Sequence, residues 1–288
     1  MSPHLSRVLI LGGGGMLAHA FKQLLPPASS ISSPPRASLD INDPSSLARA
    51  FETARPTLVL NCAAHTKVDL CEYQRDLAHA INAHAPAHAA AIASRLGIPF
   101  VQFSTDFVFP GTSPTPYSET DPTGPISVYG QSKLAGELAV TAAHPHALIA
   151  RTSWLYGPGG PCFPATMVRV ARAGKPLSVV SDQHGSPTFT YDLVRLTLEL
   201  LAASAHGVYH VSNTSQTTWF EFTQHILATY NLSVPLSPIT SAEWLAKTPT
   251  SAHRPTHSTL STAKLTQTLH HPPRPWPQAF TEYHTLSP

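Results

Sequence analysis

The chain has 288 residues, 42% of them apolar, with 18 Lys or Arg against 16 Asp or Glu and a net charge of +2. That length and apolar content exclude a disordered chain and suffice for a sizeable core. Charged residues make up only 12% and the basic ones do not cluster, which argues against a nucleic-acid surface, so no nucleic-acid partner is expected.

In chain order, short apolar runs alternate with helical patterns. Val8–Leu11 is a run closed by glycines, and Met16–Leu25 then has helical spacing. Ser45–Ala54 reads as a helix and Leu58–Asn61 as a strand. Leu77–Leu96 reads as one helix, Phe100–Ser104 as a strand, Val128–Ala143 as a helix and Ala147–Ala150 as a strand. Continuous apolar runs are how strands buried on both faces look, and the alternation predicts βαβ units in a parallel sheet. The second half is less regular. Leu177–Val180 and Val208–Val211 are strand-like, and Thr190–Ala203 and Trp219–Tyr230 are helix-like. The Pro-rich stretch from Pro235 suggests a loop-heavy cap. The expected fold is α/β: a Rossmann-type doubly wound parallel sheet over 1–155, with segments near 177–212 returning to it. A smaller, mainly substrate-binding C-terminal domain would cover 156–288.

Leu11-Gly12-Gly13-Gly14-Gly15-Met16-Leu17-Ala18 follows a strand and opens a helix. Gly12 allows a sharp turn, and Gly15 lets backbone approach a pyrophosphate, whose charge suits a helix N-terminus. Ala18 stands at the third glycine position of the fingerprint. A glycine run after a strand is also how plain tight turns look, and the strand–turn–helix context is what raises this one. A carboxylate ~20 residues on would hold a ribose 2′-hydroxyl. None occurs between Ala18 and Leu39, where Arg36 and several serines stand instead. This favours a 2′-phosphate, hence NADPH, with NADH as the other coenzyme.

Ser104-Thr105-Asp106 ends a strand, at the sheet edge where open α/β folds bind ligands. Tyr129 and Lys133 follow at i and i+4, one face of a helix. Such a pair alone is most often a solvated face. After a glycine fingerprint and a strand-end hydroxyl it reads as ketone reduction. The ammonium draws the phenol towards ionisation, the phenol exchanges a proton with a carbonyl oxygen, and the Thr105 hydroxyl polarises that oxygen.

These residues, with further segments, carry a resemblance. They are Asn61-Cys-Ala-Ala-His-Thr-Lys-Val-Asp69 with Glu72 and Asn82, Phe103-Ser-Thr-Asp-Phe-Val-Phe109, Tyr117-Ser-Glu-Thr-Asp121, Val128-Tyr-Gly-Gln-Ser-Lys-Leu-Ala-Gly-Glu137, Arg151-Thr-Ser-Trp-Leu-Tyr156 and Val180-Ser-Asp-Gln-His-Gly-Ser-Pro-Thr188. Together they resemble the extended short-chain dehydrogenase/reductase superfamily and, within it, the RmlD-type dTDP-4-dehydrorhamnose reductases. The resemblance implies NAD(P)H-dependent reduction of the C4 ketone of dTDP-4-dehydro-β-L-rhamnose. It makes Tyr129 the proton donor, Lys133 the group orienting the nicotinamide ribose, and Thr105, with Asp106, a substrate contact. Gly12, Gly15, Met16 and Leu17 match the phosphate turn, Asp40 and Ile41 the adenine side, and Ala63, Ala64 and His65 the cofactor loop. Trp154 matches the sugar pocket, where an indole suits a sugar face. Two rival functions stay open: a regulatory subunit resembling the methionine adenosyltransferase β-subunit, and a reductase of a UDP-linked 4-keto sugar.

Cys62, Cys71 and Cys162 form no CxxC pair, which argues for a reducing compartment. The run Val8–Leu11 is too short for a signal peptide, and no apolar run approaches the ~18 residues needed to span a membrane. A cytoplasmic protein with no membrane partner is expected, a homodimer staying open. Seventeen histidines, His84 and His88 at i and i+4 among them, invite a metal site. Without a third ligand or an HExxH segment, no metal is expected.

Overall fold

A computed structural model describes residues 5–287. Its centre is a six-stranded sheet, parallel throughout, in the order Gly207–His210, β5 (Leu148–Thr152), β4 (Phe100–Thr105), β3 (Leu58–Asn61), β1 (Arg7–Leu11), β2 (Ser30–Ser32). Strand β1, next to the edge strand β2, pairs Val8 with Leu58 and Leu11 with Asn61. The apolar runs predicted as doubly buried strands are so. Along β1, Val8 and Ile10 pack with Leu58, Leu60, Val101 and Leu148 on one face, while Leu9 and Leu11 pack with Val59, Phe100 and Ile149 on the other. Helix α1 (Met16–Leu24) and the helix Thr190–Ala202 cover the first face. Helices α2 (Pro44–Ala54), α5 (Ala85–Arg95) and α6 (Val128–Ala143) cover the second.

Ser30-Ile31-Ser32 escapes the sequence reading because an edge strand of three residues, two of them serine, has no apolar run to show. The expected helix over Leu77–Leu96 forms as one continuous path with a π-turn set into it. A short helix α3 (Val68–Tyr73) precedes it, then α4 (Arg75–His79), a π-turn over Ala80–His84, and α5. The cause is Pro86: it has no N–H to give the Asn82 carbonyl four residues back, and its ring crowds that carbonyl.

Beyond β5 the chain builds a second core. Tyr156, Phe189, Phe222, Phe280 and Tyr283 pack between the helices Phe163–Arg172, Trp219–Thr229 and Trp276–Leu286. Leu177–Val180 pairs in parallel with Leu236–Ile239, which joins the Pro-rich segment to it in a separate two-stranded sheet. That segment carries three helices, Ser241–Lys247, Ala263–Leu269 and Trp276–Leu286, where mainly loops were expected. Capping explains the first: Thr240 and Glu243 satisfy each other's backbone N–H groups in a capping box. No helix among the described residues is long and apolar enough to cross a membrane.

Candidate active site

The carboxyl ends of β1, β3, β4 and β5 face one cleft. At β1 the turn is forced by packing. Gly12 has φ +77°, and a Cβ there would lie 2.5 Å from the Ala63 backbone, so only glycine lets the loop after β3 come this close. Gly15 is the N-cap of α1 and closes the turn through a 3.1 Å bond from its N–H to the Gly12 carbonyl. No side chain caps α1 and no acidic residue stands in its first turn, so the positive end of the helix at Met16 and Leu17 is free for an anion. Ala18, fully buried, supplies the close helix–strand packing expected of the third glycine. Past β2, the Ser33 hydroxyl is buried without a hydrogen-bond partner and lies over Gly13. The glycine turn, the uncapped helix end and this orphaned hydroxyl fit a dinucleotide. Asp40 is exposed and spends Oδ1 on the Asn42 N–H, while Ile41 packs towards the core.

The loop Ala63–His65 is pinned from behind. Asn82, on the π-turn, accepts from the His65 N–H at 2.8 Å, donates to the His65 carbonyl at 3.1 Å and donates to Ser132 on α6 at 2.9 Å. The π-turn thus ties the loop after β3 to the helix that carries Tyr129. The start of α6 is fixed twice, by Ser127 as N-cap and by Glu72, which accepts from the Val128 N–H at 2.8 Å.

Thr105 ends β4 and caps the turn Asp106–Val108 by accepting from the Phe107 N–H. Its hydroxyl donates to Asp106 Oδ1 at 3.1 Å and faces the Tyr129 phenol. Lys133, 3% exposed, lies one turn along α6 and donates to the Phe103 carbonyl at 2.5 Å. Thr105, Asp106, Tyr129 and Lys133 are therefore one cluster. Burial pushes the Lys133 ammonium down to about 8, partly offset by Glu137, and pushes the Asp106 carboxyl up to about 7, partly offset by its hydrogen bonds.

The phenol corrects the sequence reading. Burial holds Tyr129 well above the usual tyrosine range, and the facing Thr105 hydroxyl opposes this only in part. The expected pull from Lys133 is weak because its Nζ is turned to the Phe103 carbonyl and is itself hard to charge in this setting.

Next to this cluster opens a pocket of about 320 Å³ lined by Phe107, Trp154, Trp219, Trp244, Arg254 and Ser258 among others. Phe107 links the two, its ring edge-on to Tyr129 at 5.7 Å. Trp154 reaches the pocket from a left-handed backbone, φ 46°. A Cβ on Gly185 would lie 2.5 Å from its indole, and Trp219 stacks on it. The sequence reading offers that indole as an open sugar platform. In the structure Trp219 covers one face, because both rings gain more by stacking than by facing water. Trp219, Trp244, Arg254 and Ser258 went unread in the sequence. The one available signal was scarcity, since three of only four tryptophans meet here. A larger cavity, about 1070 Å³, opens at the opposite ends of the strands between α2 and α5, away from all of these groups.

A parallel doubly wound sheet with a glycine turn, a strand-end Thr and a Tyr–Lys helix pair defines an extended short-chain dehydrogenase/reductase. The model of the family described as RmlD substrate binding domain matches residues 6–286, and the chain belongs to that family. It is 38% identical to dTDP-4-dehydrorhamnose reductase of Streptomyces griseus, over 98% of this chain and 94% of the relative. It is 36% identical to the spore coat polysaccharide biosynthesis protein SpsK of Bacillus subtilis, over 97% of each. Among solved structures, dTDP-4-dehydrorhamnose reductase of Bacillus anthracis in complex with NADP superposes with TM-score 0.93, at 36% identity, over 98% of this chain and 99% of that one.

Proposed function

We propose that the chain reduces the C4 ketone of a dTDP-linked 4-keto-6-deoxy sugar, dTDP-4-dehydro-β-L-rhamnose, with NADPH as the reductant. The observation that carries this is the convergence of Thr105, Tyr129 and Lys133 between the free N-terminus of α1 and the tryptophan pocket. The names of the similar reductase and of the NADP-bound structure support it.

Gly12–Leu17, Ser33 and Ala63–His65 would hold NADPH, which would supply the hydride. Arg36 and Ser33 stand where a 2′-phosphate would be read. Tyr129, kept neutral by burial, is in the protonation state that reduction requires, and it gives its proton to the ketone oxygen as negative charge develops there. Thr105, facing that phenol, places a second hydroxyl by the same oxygen. Lys133 holds positive charge under the site and, anchored on Phe103, orients a ribose hydroxyl. On this reading residues 1–155 hold mainly the coenzyme and 156–288 mainly the sugar nucleotide, with Asp106 and Trp154 on the substrate side.

The test is loss of reduced-nicotinamide absorbance with dTDP- and UDP-linked 4-keto-6-deoxy sugars, each with NADPH and NADH. Rapid turnover is expected with the dTDP sugar and NADPH. No oxidation with any pair would end the reductase reading.

A further inference from the structure

Among the described residues that line the tryptophan pocket, Arg254 alone carries a charge; the others are aromatic, aliphatic or neutral polar. A nucleotide-linked sugar brings a diphosphate, and an anion placed beside indoles without a cation is costly. Arg254 is held ready for one. Its Nη2 donates to Asp69 Oδ1 at 2.9 Å and its Nη1 to the Ala252 carbonyl at 3.0 Å. The same Asp69 oxygen accepts from the Ala252 N–H at 2.9 Å. This spends one N–H on each terminal nitrogen and leaves the other donors of the fork for phosphate oxygens. The side chain is 25% exposed, so it is anchored yet open to a ligand. The backbone on either side is tied down as well. The Tyr73 phenol donates to the Thr250 carbonyl at 3.2 Å, the His184 N–H to the Thr256 carbonyl at 2.7 Å and the His257 N–H to the Gly111 carbonyl at 3.2 Å.

We infer that Arg254 binds the diphosphate of the sugar nucleotide and that Asp69 is the positioning residue that aims it. This rests on the reductase reading above, which puts a nucleoside diphosphate in this pocket. The guanidinium donates to diphosphate oxygens through its unspent N–H groups, and Asp69 keeps it from swinging into solvent.

The helix that carries Asp69 gives the pair its place in the site. Asp69 stands in the first turn of α3, and Glu72 follows three residues on, on the same helix face. Glu72 accepts from the Val128 N–H and so fixes the start of α6, where Tyr129 stands. One short helix therefore holds both the proton donor and the guanidinium, each through a carboxylate. The spacing between them sets where the sugar ring of an anchored nucleotide falls relative to Tyr129. An ion pair as exposed as Asp69–Arg254 adds little to stability, so its variants can lose binding without losing the fold.

The experiment is calorimetric titration of the full chain with dTDP and with thymidine, both at saturating NADP+ so that the coenzyme cleft is filled. The wild type should bind dTDP at least ~10-fold more tightly than thymidine, and added salt should shrink that advantage. Equal binding of the two by the wild type would overturn the anchor without recourse to any variant. Arg254→Ala should weaken dTDP about 10- to 100-fold, with thymidine and NADPH affinities within about 3-fold of the wild type. An unchanged dTDP affinity in that variant would overturn the anchor too. Asp69→Ala should weaken dTDP about 5-fold or more, and Asp69→Ala with Arg254→Ala should bind it no worse than Arg254→Ala alone, because Asp69 acts only through the guanidinium. Losses that multiply in the double variant would take the positioning role from Asp69. A wild type that grips dTDP in this way but oxidises no NADPH with any 4-keto sugar nucleotide defeats the reductase reading and leaves the anchor standing.

Discussion

Trp154 and Trp219 lie face to face, their ring centroids 3.6 Å apart and their planes within 6° of parallel. Trp154 is the end of the β5 loop, and Trp219 opens a helix on the far side of the pocket. The stack holds Trp154 in a left-handed backbone that costs a non-glycine residue about 1 kcal/mol or more. Together with Gly185 it fixes which edge of the indole meets a sugar.

Trp219→Ala should therefore act on sugar-nucleotide binding and leave the coenzyme alone. An aromatic pair contributes about 1 kcal/mol beyond the area it buries. The expected result is a KM for the sugar nucleotide raised about 10-fold, with NADPH affinity unchanged by fluorescence titration. An unaltered KM would show that the stack does not shape the pocket.

Tyr129→Phe removes the proton donor but keeps the ring against Phe107. General acid catalysis contributes about 100-fold or more, so kcat should fall at least that far, with NADPH binding near normal. Wild-type turnover in this variant would take Tyr129 out of the chemistry.

The chemistry-bearing pair was legible because Tyr129 and Lys133 lie on one helix, where spacing in sequence is geometry in space. Thr105 was legible because a strand end in a parallel sheet is a known ligand edge. Ser33, Arg254, Ser258 and Trp219 reach the cleft only through long-range pairings, such as that of Leu177–Val180 with Leu236–Ile239, which no local pattern announces. The phenol was misread for a related reason. Sequence places Lys133 one turn from Tyr129 but does not reveal that the Phe103 carbonyl takes the ammonium.

The proposed reader of the coenzyme's 2′-phosphate is Arg36, exposed three residues after Ser33. A guanidinium–phosphate hydrogen bond contributes about 1.5–3 kcal/mol. Arg36→Ala should raise the KM for NADPH about 10- to 100-fold and barely change that for NADH. Equal effects on both coenzymes would show that Arg36 does not read the 2′-phosphate.

Behind the site, Arg151 on β5 and Glu137 on α6 form a buried ion pair, at 2.7 Å from Nη2 to Oε2 and with a second bond from Nε at 2.9 Å. Arg151 also lies over the Phe109 ring. Removing one partner leaves an uncompensated charge in the core. Glu137→Ala should lower unfolding stability by about 3–5 kcal/mol, and Glu137→Leu with Arg151→Met should regain most of it. Glu137 also holds up the Lys133 ammonium against burial. With that carboxylate gone, Lys133 sheds its proton at lower pH, and the alkaline loss of activity should move down. Equal stability of the single and double variants, by urea denaturation, would contradict this account.

Asp106 should make the protein less stable as pH rises. Its folded carboxyl titrates at about 7, against about 4 in an unfolded chain. Between those values the native state keeps a proton that the unfolded chain has released. Unfolding is then favoured by each rise in pH, and above about 7 the full penalty is in place. Three pH units at about 1.4 kcal/mol each set an upper bound of about 4 kcal/mol. Asp106→Asn has no charge to bury and keeps a donor for Thr105. Its melting temperature should exceed that of the wild type at pH 8 and converge on it near pH 4. A difference independent of pH would mean that Asp106 is not buried in its neutral form. The expected gain in stability on losing a functional carboxyl is what a site held away from its own stability optimum should show.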